Sequence, residues 1–153
     1  MNLEERFWAK VKKGAEGECW EWMGGHVRAG YGALLHQGKQ RYAHRIAYEL
    51  MIDLIPSGMQ VDHMCHNKGC ANPSHMRLAT CAENTRNQVR HRDNTSGFKG
   101  ARYDKRVNRW QGSIIVDRKF IHLGMFATPE EAHVVYCEAA VRYHGAFANF
   151  GGE

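Results

Sequence analysis

Apolar and polar positions follow different rhythms in the two halves of this chain. In NLEERFWAKVKK (residues 2–13), Leu3, Phe7, Trp8 and Val11 recur at helical spacing, predicting an amphipathic helix ended by Gly14 and Gly17. In CWEWMGG, Trp20 and Trp22 alternate with Glu21 as a strand would, and YGALLH (31–36) is the expected returning strand of a hairpin. Gln37-Gly38-Lys39 marks a tight turn. YAHRIAYELM (42–51) gathers Ala43, Ile46, Ala47 and Leu50 on one helical face, and Met59 to Met64 is a short strand. Thr80-Cys81-Ala82-Glu83 has the form of a capping box, so a helix should begin at Cys81 and carry Asn84, Asn87 and Arg90 or Arg86 before fraying near His91.

After the polar, turn-rich Arg92–Gly97 the rhythm changes to alternation. FKGARY (98–103), RWQGSIIV (109–116) and KFIHLGMF (119–126) are strand-like, with turns at Asn108 and at Asp117-Arg118. Thr128-Pro129-Glu130-Glu131 opens a helix that should end at Gly145, with Ala132, Tyr136, Ala139, Ala140 and Tyr143 on its packing face. The expected class is α+β. A domain of residues 1–93 is followed by a second, 94–153, in which a small three-stranded antiparallel sheet packs on one helix.

Composition adds little to the class and much to the partner. The 153 residues are 43% hydrophobic and 24% charged, as in ordinary globular proteins. The net charge of +5 is unevenly spread: from Asn84 to Lys119 ten Lys/Arg face three acids, a local +7. Such a block is the footprint of a polyanion binder. No apolar run is long enough for a membrane span, and the first residues lack the apolar core of a signal peptide, so a cytoplasmic location is expected, without membrane contact. The five cysteines are an odd number, and in a reducing compartment the closely spaced Cys and His among them point to metal binding rather than to disulfides.

The densest chemistry lies in VDHMCHNKGCANPSHMRLATCAENTRN (61–87). Cys65, Cys70 and His75 offer three soft ligands on a short loop with Gly69 and Pro73. A zinc ion takes four such ligands in a tetrahedron. Cys19 is the best candidate for the fourth and Cys81 the alternative, while His66 competes with His75. A closed site of this kind is structural, its binding energy becoming folding energy. A second, harder set is Asp62, His63 and Asn84. A neutral imidazole can take a proton from water near pH 7, and oxygen ligands suit Mg²⁺.

The run D-H-x-C-x4-C-x-N-P-x-H followed by E-N-x-x-N resembles the His-Me finger (HNH) nucleases, above all homing endonucleases with a zinc-binding loop inside the finger. The resemblance covers about residues 17–90. It implies a zinc-braced ββα-metal finger with His63 as general base and Asn84 as magnesium ligand. Zinc would be held by Cys65, Cys70, His75 and the upstream Cys19. Asp62 matches members in which an aspartate beside the base also binds the catalytic metal. Asn72 resembles the middle Asn of the signature, which pins the loop backbone, and Arg45 is placed near the scissile phosphate.

Beyond residue 96 the G-A-R start, the R-W of the second strand, L-G-x-F-x-T-x-E-E-A and the closing N-F are similar to an AP2 DNA-binding domain. That family lays its sheet in the major groove. The resemblance implies double-stranded DNA as partner, with Arg102, Arg106, Arg109, Trp110, Gln111 and Lys119 at the interface. The expectation is a homing-type DNA endonuclease with structural Zn²⁺ and catalytic Mg²⁺. The alternatives are a catalytically inactive zinc-stabilised DNA-binding protein and a non-specific phage nuclease. One finger carries one active site, so a double-strand break calls for a homodimer or two successive nicks.

Overall fold

A computed structural model describes residues 2–89 and 93–152. The chain divides into two compact units, Met1–Cys81 and Ala82–Glu153. The boundary expected at 92–97, and the helical positions expected at Arg90 and His91, fall at least partly outside the described residues.

The first unit begins with α1 (Leu3–Trp8), closed by a capping box between Asn2 and Glu5. The helix is shorter than its apolar stripe predicts. Val11–Lys12 leaves it as β1 and pairs antiparallel with β2 (Glu21–Trp22). β-branched Val11 gains more from the sheet against Trp22 than from another helical turn. β3 (Ala33–His36) then pairs with β4 (Lys39–Tyr42), so its partner is not the Trp20–Trp22 strand expected from sequence. The two-residue loop Gln37-Gly38, both at positive φ, sets that register. α2 (Ala43–Met51) buries Ala43, Ile46, Ala47 and Tyr48.

β5 (Gln60–His63) pairs antiparallel with β6 (Met76–Ala79), a strand the sequence pattern did not reveal. Between them runs the Cys-rich loop, with a single 3-10 turn at Pro73–His75. The core joins Phe7, Trp22, Leu34, Ile46, Tyr48, Val61 and Met76, with Phe7 stacked on Trp22. Each such side chain contributes about 1.5–3 kcal/mol by burial. For a unit of this size that core is modest.

In the second unit the elements follow the sequence closely. α3 (Cys81–Arg86) lies at the division between units and contributes no buried residue of its own. β7 (Ala101–Asp104), β8 (Arg109–Val116) and β9 (Lys119–Phe126) form one antiparallel sheet in that order. Asp117 and Arg118, both at positive φ, make the tight turn of its second hairpin. α4 (Pro129–His144) carries the expected capping box of Thr128 and Glu131 and stops at Gly145. Ala132, Tyr136, Ala139 and Ala140 are buried, with Ile114 in the same core, whereas Tyr143, expected on that stripe, is 40% exposed. No helix among the described residues is long and apolar enough to cross a membrane.

Candidate functional site

The loop between β5 and β6 is folded by its own polar groups before any metal enters the argument. His66 takes a positive φ, and its amide donates to the His63 carbonyl (3.2 Å), turning the chain back after β5. The Asn72 side chain accepts from the Ser74 amide (3.0 Å) and hydroxyl (2.7 Å) and donates to the Glu18 carbonyl (2.7 Å). That last bond fastens the loop to the segment that carries Cys19. A bridge between Glu21 and Cys70 fastens it again.

The consequence is a four-residue cluster. Ligand atoms of Cys19, Cys65, Cys70 and His75 lie within 4.8 Å of one another. Both the Cys19 and Cys70 sulfurs stand 3.6 Å from His75 Nδ1. Tetrahedral zinc with Zn–S near 2.3 Å and Zn–N near 2.0–2.1 Å requires an S···N separation of about 3.6 Å. His75 Nε2 donates to the Gly17 carbonyl (3.2 Å), which leaves the Nδ1 lone pair aimed into the cluster. The Cys70 thiol is brought down to about 4, first by the hydrogen bond from Cys65, while Cys65 is pushed up by the same bond. Burial, first, raises Cys19. Cys70 is therefore the ready thiolate of the set. This Cys3His arrangement is consistent with zinc. Cys81 is exposed, and neither it nor His66 belongs to the cluster.

The cluster touches the candidate base at Cys70. His63, at the end of β5, is buried, and its Nε2 lies 3.1 Å from the Cys70 carbonyl. A ring nitrogen facing a carbonyl carries the proton, and in that tautomer the lone pair is on Nδ1. Burial, the largest cause, lowers the His63 pKa, which keeps the imidazole neutral at pH 7. Its neighbour Asp62 is buried and pairs across the sheet with Arg77 (Nε to Oδ2, 2.9 Å). Arg77 is invisible to a reading that lacks β6; the pairing follows once Asp62 and Arg77 are known to face each other.

His44, on α2, is a further residue the sequence did not single out. Its ring meets His63 edge-on at 4.7 Å, and Tyr31 lies 5.4 Å from it. Burial, followed by the positive charge of its neighbours, brings His44 down to about 3.

Arg45 lies on α2 in the first unit, and the remaining candidates lie in the second, Asn84 on α3 among them. On β8, Arg109 and Gln111 alternate with Trp110 and Gly112. Arg102 faces Gln111 in register, so these three polar residues share the sheet face turned away from the buried Gly112 and Ile114. Gln111 reaches His122 on the same face (3.2 Å). Trp110 takes the other face and packs on Tyr103 (5.0 Å). Arg106 is exposed in the turn and paired with Asp104. Lys119 shares the register of Val116 and is exposed at the hairpin end. A cavity of about 350 Å³ is lined by Arg102, Asp104, Lys105, Arg106 and Gln111 beside Tyr103.

Comparison with known proteins places the site in context. The family described as HNH endonuclease matches residues 41–86, from β4 through α3. The chain is 34% identical over 101 residues to Protein 2.8 of Escherichia phage T7, covering 65% of this chain and 68% of that protein. An uncharacterized HNH endonuclease of Acanthamoeba polyphaga mimivirus is 32% identical over 122 residues, 79% of this chain and 62% of the relative. Protein 3.8 of the same phage is 30% identical over 96 residues, covering 63% of this chain and 78% of that protein.

Proposed function

We propose that the chain, whose residues 41–86 match the HNH endonuclease family, is a homing-type DNA endonuclease: a zinc-braced finger cuts and the C-terminal sheet chooses where. The observation that carries the reading is the His63 imidazole. Burial lowers its pKa, and its Nε2 faces the Cys70 carbonyl at 3.1 Å, which supports Nδ1 as the base.

Zinc would be held by Cys19, Cys65, Cys70 and His75, with no ligand position left for water. Its work is to keep the Cys70 carbonyl where it orients His63. Asn84, with Asp62, would hold one divalent cation; an amide and a carboxylate oxygen are the hard donors that Mg²⁺ takes. When bound, that cation would neutralise charge on the scissile phosphate and the leaving oxygen. His63 takes a proton from the attacking water, and the water oxygen displaces the 3′ oxygen from phosphorus. Arg45 would lie near the scissile phosphate.

For target choice, the reading draws on the AP2-like sequence of residues 94–153, the antiparallel sheet backed by α4, and the polar face of Arg102, Arg109 and Gln111. A bidentate arginine reads guanine in the major groove, and Arg106 and Lys119 at the strand ends suit phosphates. Trp110, on the opposite face against Tyr103, would brace this surface from behind rather than join it. One finger cuts one strand, so a double-strand break takes a second copy or two nicks.

Mapping cut ends on random-sequence DNA tests the reading. Ends that share a sequence support a homing-type enzyme. Ends without one identify a non-specific nuclease, and no ends at all identify the inactive DNA-binding alternative.

A further inference from the structure

α3 is a helix of six residues with none buried, yet on the proposed reading it carries Asn84. Something other than its own packing must hold it. Three consecutive carbonyls at and just past its C-terminal end supply the answer. Lys99 Nζ donates to the Gln88 carbonyl at 2.6 Å and reaches the Arg86 carbonyl at 3.4 Å. Asn149 Nδ2 donates to the intervening Asn87 carbonyl at 3.1 Å, and Asn87 is itself buried. The Arg86 guanidinium pairs with Asp117 in the turn of the β8–β9 hairpin (2.9 Å).

The holders are themselves fixed to the sheet unit. Asn149 Oδ1 lies 3.4 Å from Lys99 Nζ and accepts from the Gly151 amide at 2.7 Å. The Asn149 carbonyl accepts from the Tyr136 hydroxyl at 3.1 Å, and Tyr136 is buried under α4. The Lys99 carbonyl meets His133 Nδ1 of α4 at 2.8 Å. Lys99 is half-buried, and burial brings its ammonium down to about 8. A cation at the C-terminal end of a helix also meets the negative pole of the helix dipole.

We propose that Lys99 and Asn149 are positioning residues for the nuclease site: they lock the end of α3 to the sheet unit, so that the element that docks on DNA also sets where Asn84 stands. Neither residue touches substrate. The inference rests on the reading of Asn84 as the cation ligand.

The test is Lys99→Met in the full-length, zinc-loaded protein, assayed well below its melting temperature. DNA affinity is measured with Ca²⁺ in place of Mg²⁺, and single-turnover cleavage is titrated with Mg²⁺. The expected result is a cleavage rate lowered by about 10- to 100-fold, as displacement of a catalytic group by about an ångström produces. The Mg²⁺ concentration for half-maximal rate should rise, with DNA affinity within about threefold of wild type. Lys99→Arg, which still donates to carbonyls, should recover most of the rate. An unchanged rate and Mg²⁺ requirement, or a loss confined to DNA affinity, overturns the proposal. Should Lys99→Met fail to fold, Asn149→Ala removes the donor to Asn87 together with the acceptor facing Lys99 and the Gly151 amide, and carries the same comparison. Asn84→Ala separates the two levels: wild-type cleavage by that variant removes the reading of Asn84 itself. An inactive Asn84→Ala beside a fully active Lys99→Met removes only the lock.

Discussion

Replacing Cys70 with Ala removes the sulfur that the loop geometry prepares best. Cys70 is 1% exposed, its Sγ accepts from the Asn72 amide (3.3 Å), and it is the ready thiolate of the cluster. Structural zinc in small folds binds with about 10–16 kcal/mol of apparent free energy. If one ligand of four carries even a quarter of that, its loss costs about 3–4 kcal/mol, a large share of the ~5–15 kcal/mol that keeps a domain folded. At ~4–8 °C per kcal/mol the melting temperature of the first unit should fall by about 12–30 °C. The assay is metal content per chain with a thermal melt, each with and without chelator. Wild type should carry one zinc and lose stability in chelator. Cys70→Ala should carry well below one and show no chelator effect. Cys81→Ala and Cys137→Ala, outside the cluster, should keep both the zinc and the melt. A Cys70→Ala protein with a full zinc and a wild-type, chelator-sensitive melt would refute the reasoning.

Other perturbations have equally definite signs. His44 is held neutral down to about 3, while in the unfolded chain it protonates near its ordinary value of 6.5. The unfolded state therefore binds the proton first, and stability should fall by about 1.4 kcal/mol per pH unit as pH drops below 6.5. His63, also lowered, adds in the same direction. His44→Phe, at a ring whose buried Nδ1 has no hydrogen-bond partner among the described residues, should flatten that slope in denaturant titrations from pH 7 to 4. Gly100 sits at φ +80°, and a Cβ there would stand 2.1 Å from Tyr136 Cγ. Gly100→Ala should therefore destabilise the second unit by at least about 2 kcal/mol in chemical denaturation. Arg102→Ala and Arg109→Ala should each weaken DNA binding and, where a phosphate contact is lost, lower the slope of log K against log salt by about 1. A fluorescence titration at several salt concentrations reads this.

The second unit was legible because each of its local signals points the same way. Three alternating runs, tight turns at Asn108 and Asp117-Arg118, and the Thr128/Glu131 capping box reproduce β8, β9 and α4, while β7 begins three residues later than its run. The first unit was harder for a physical reason. Its strands are two to four residues long, and loops tied by side chains and a metal-type cluster do the work that periodicity does elsewhere. Hence Val11 fits a helical stripe but stands in a strand, β3 pairs with β4 rather than with the Trp20–Trp22 strand, and β6, lying just past Pro73, carries no periodic signal. The cluster residues could be picked out because three of them crowd into eleven positions. The contacts that tune the site depend on tertiary structure: Arg77 on Asp62, His44 against His63, the Cys70 carbonyl on Nε2, and Lys99 on the end of α3. No spacing rule announces them.

The measurement that bears most directly on the account is supercoiled-plasmid cleavage in Mg²⁺ by wild type and by His63→Ala, with zinc content and melting checked for both. The account predicts that wild type nicks or linearises the plasmid. His63→Ala, folded and carrying its zinc, should be slower by about 10²–10⁴-fold, the range a general base contributes. Equal cleavage by the two proteins would contradict the assignment of the base, and no cleavage by either would contradict the nuclease.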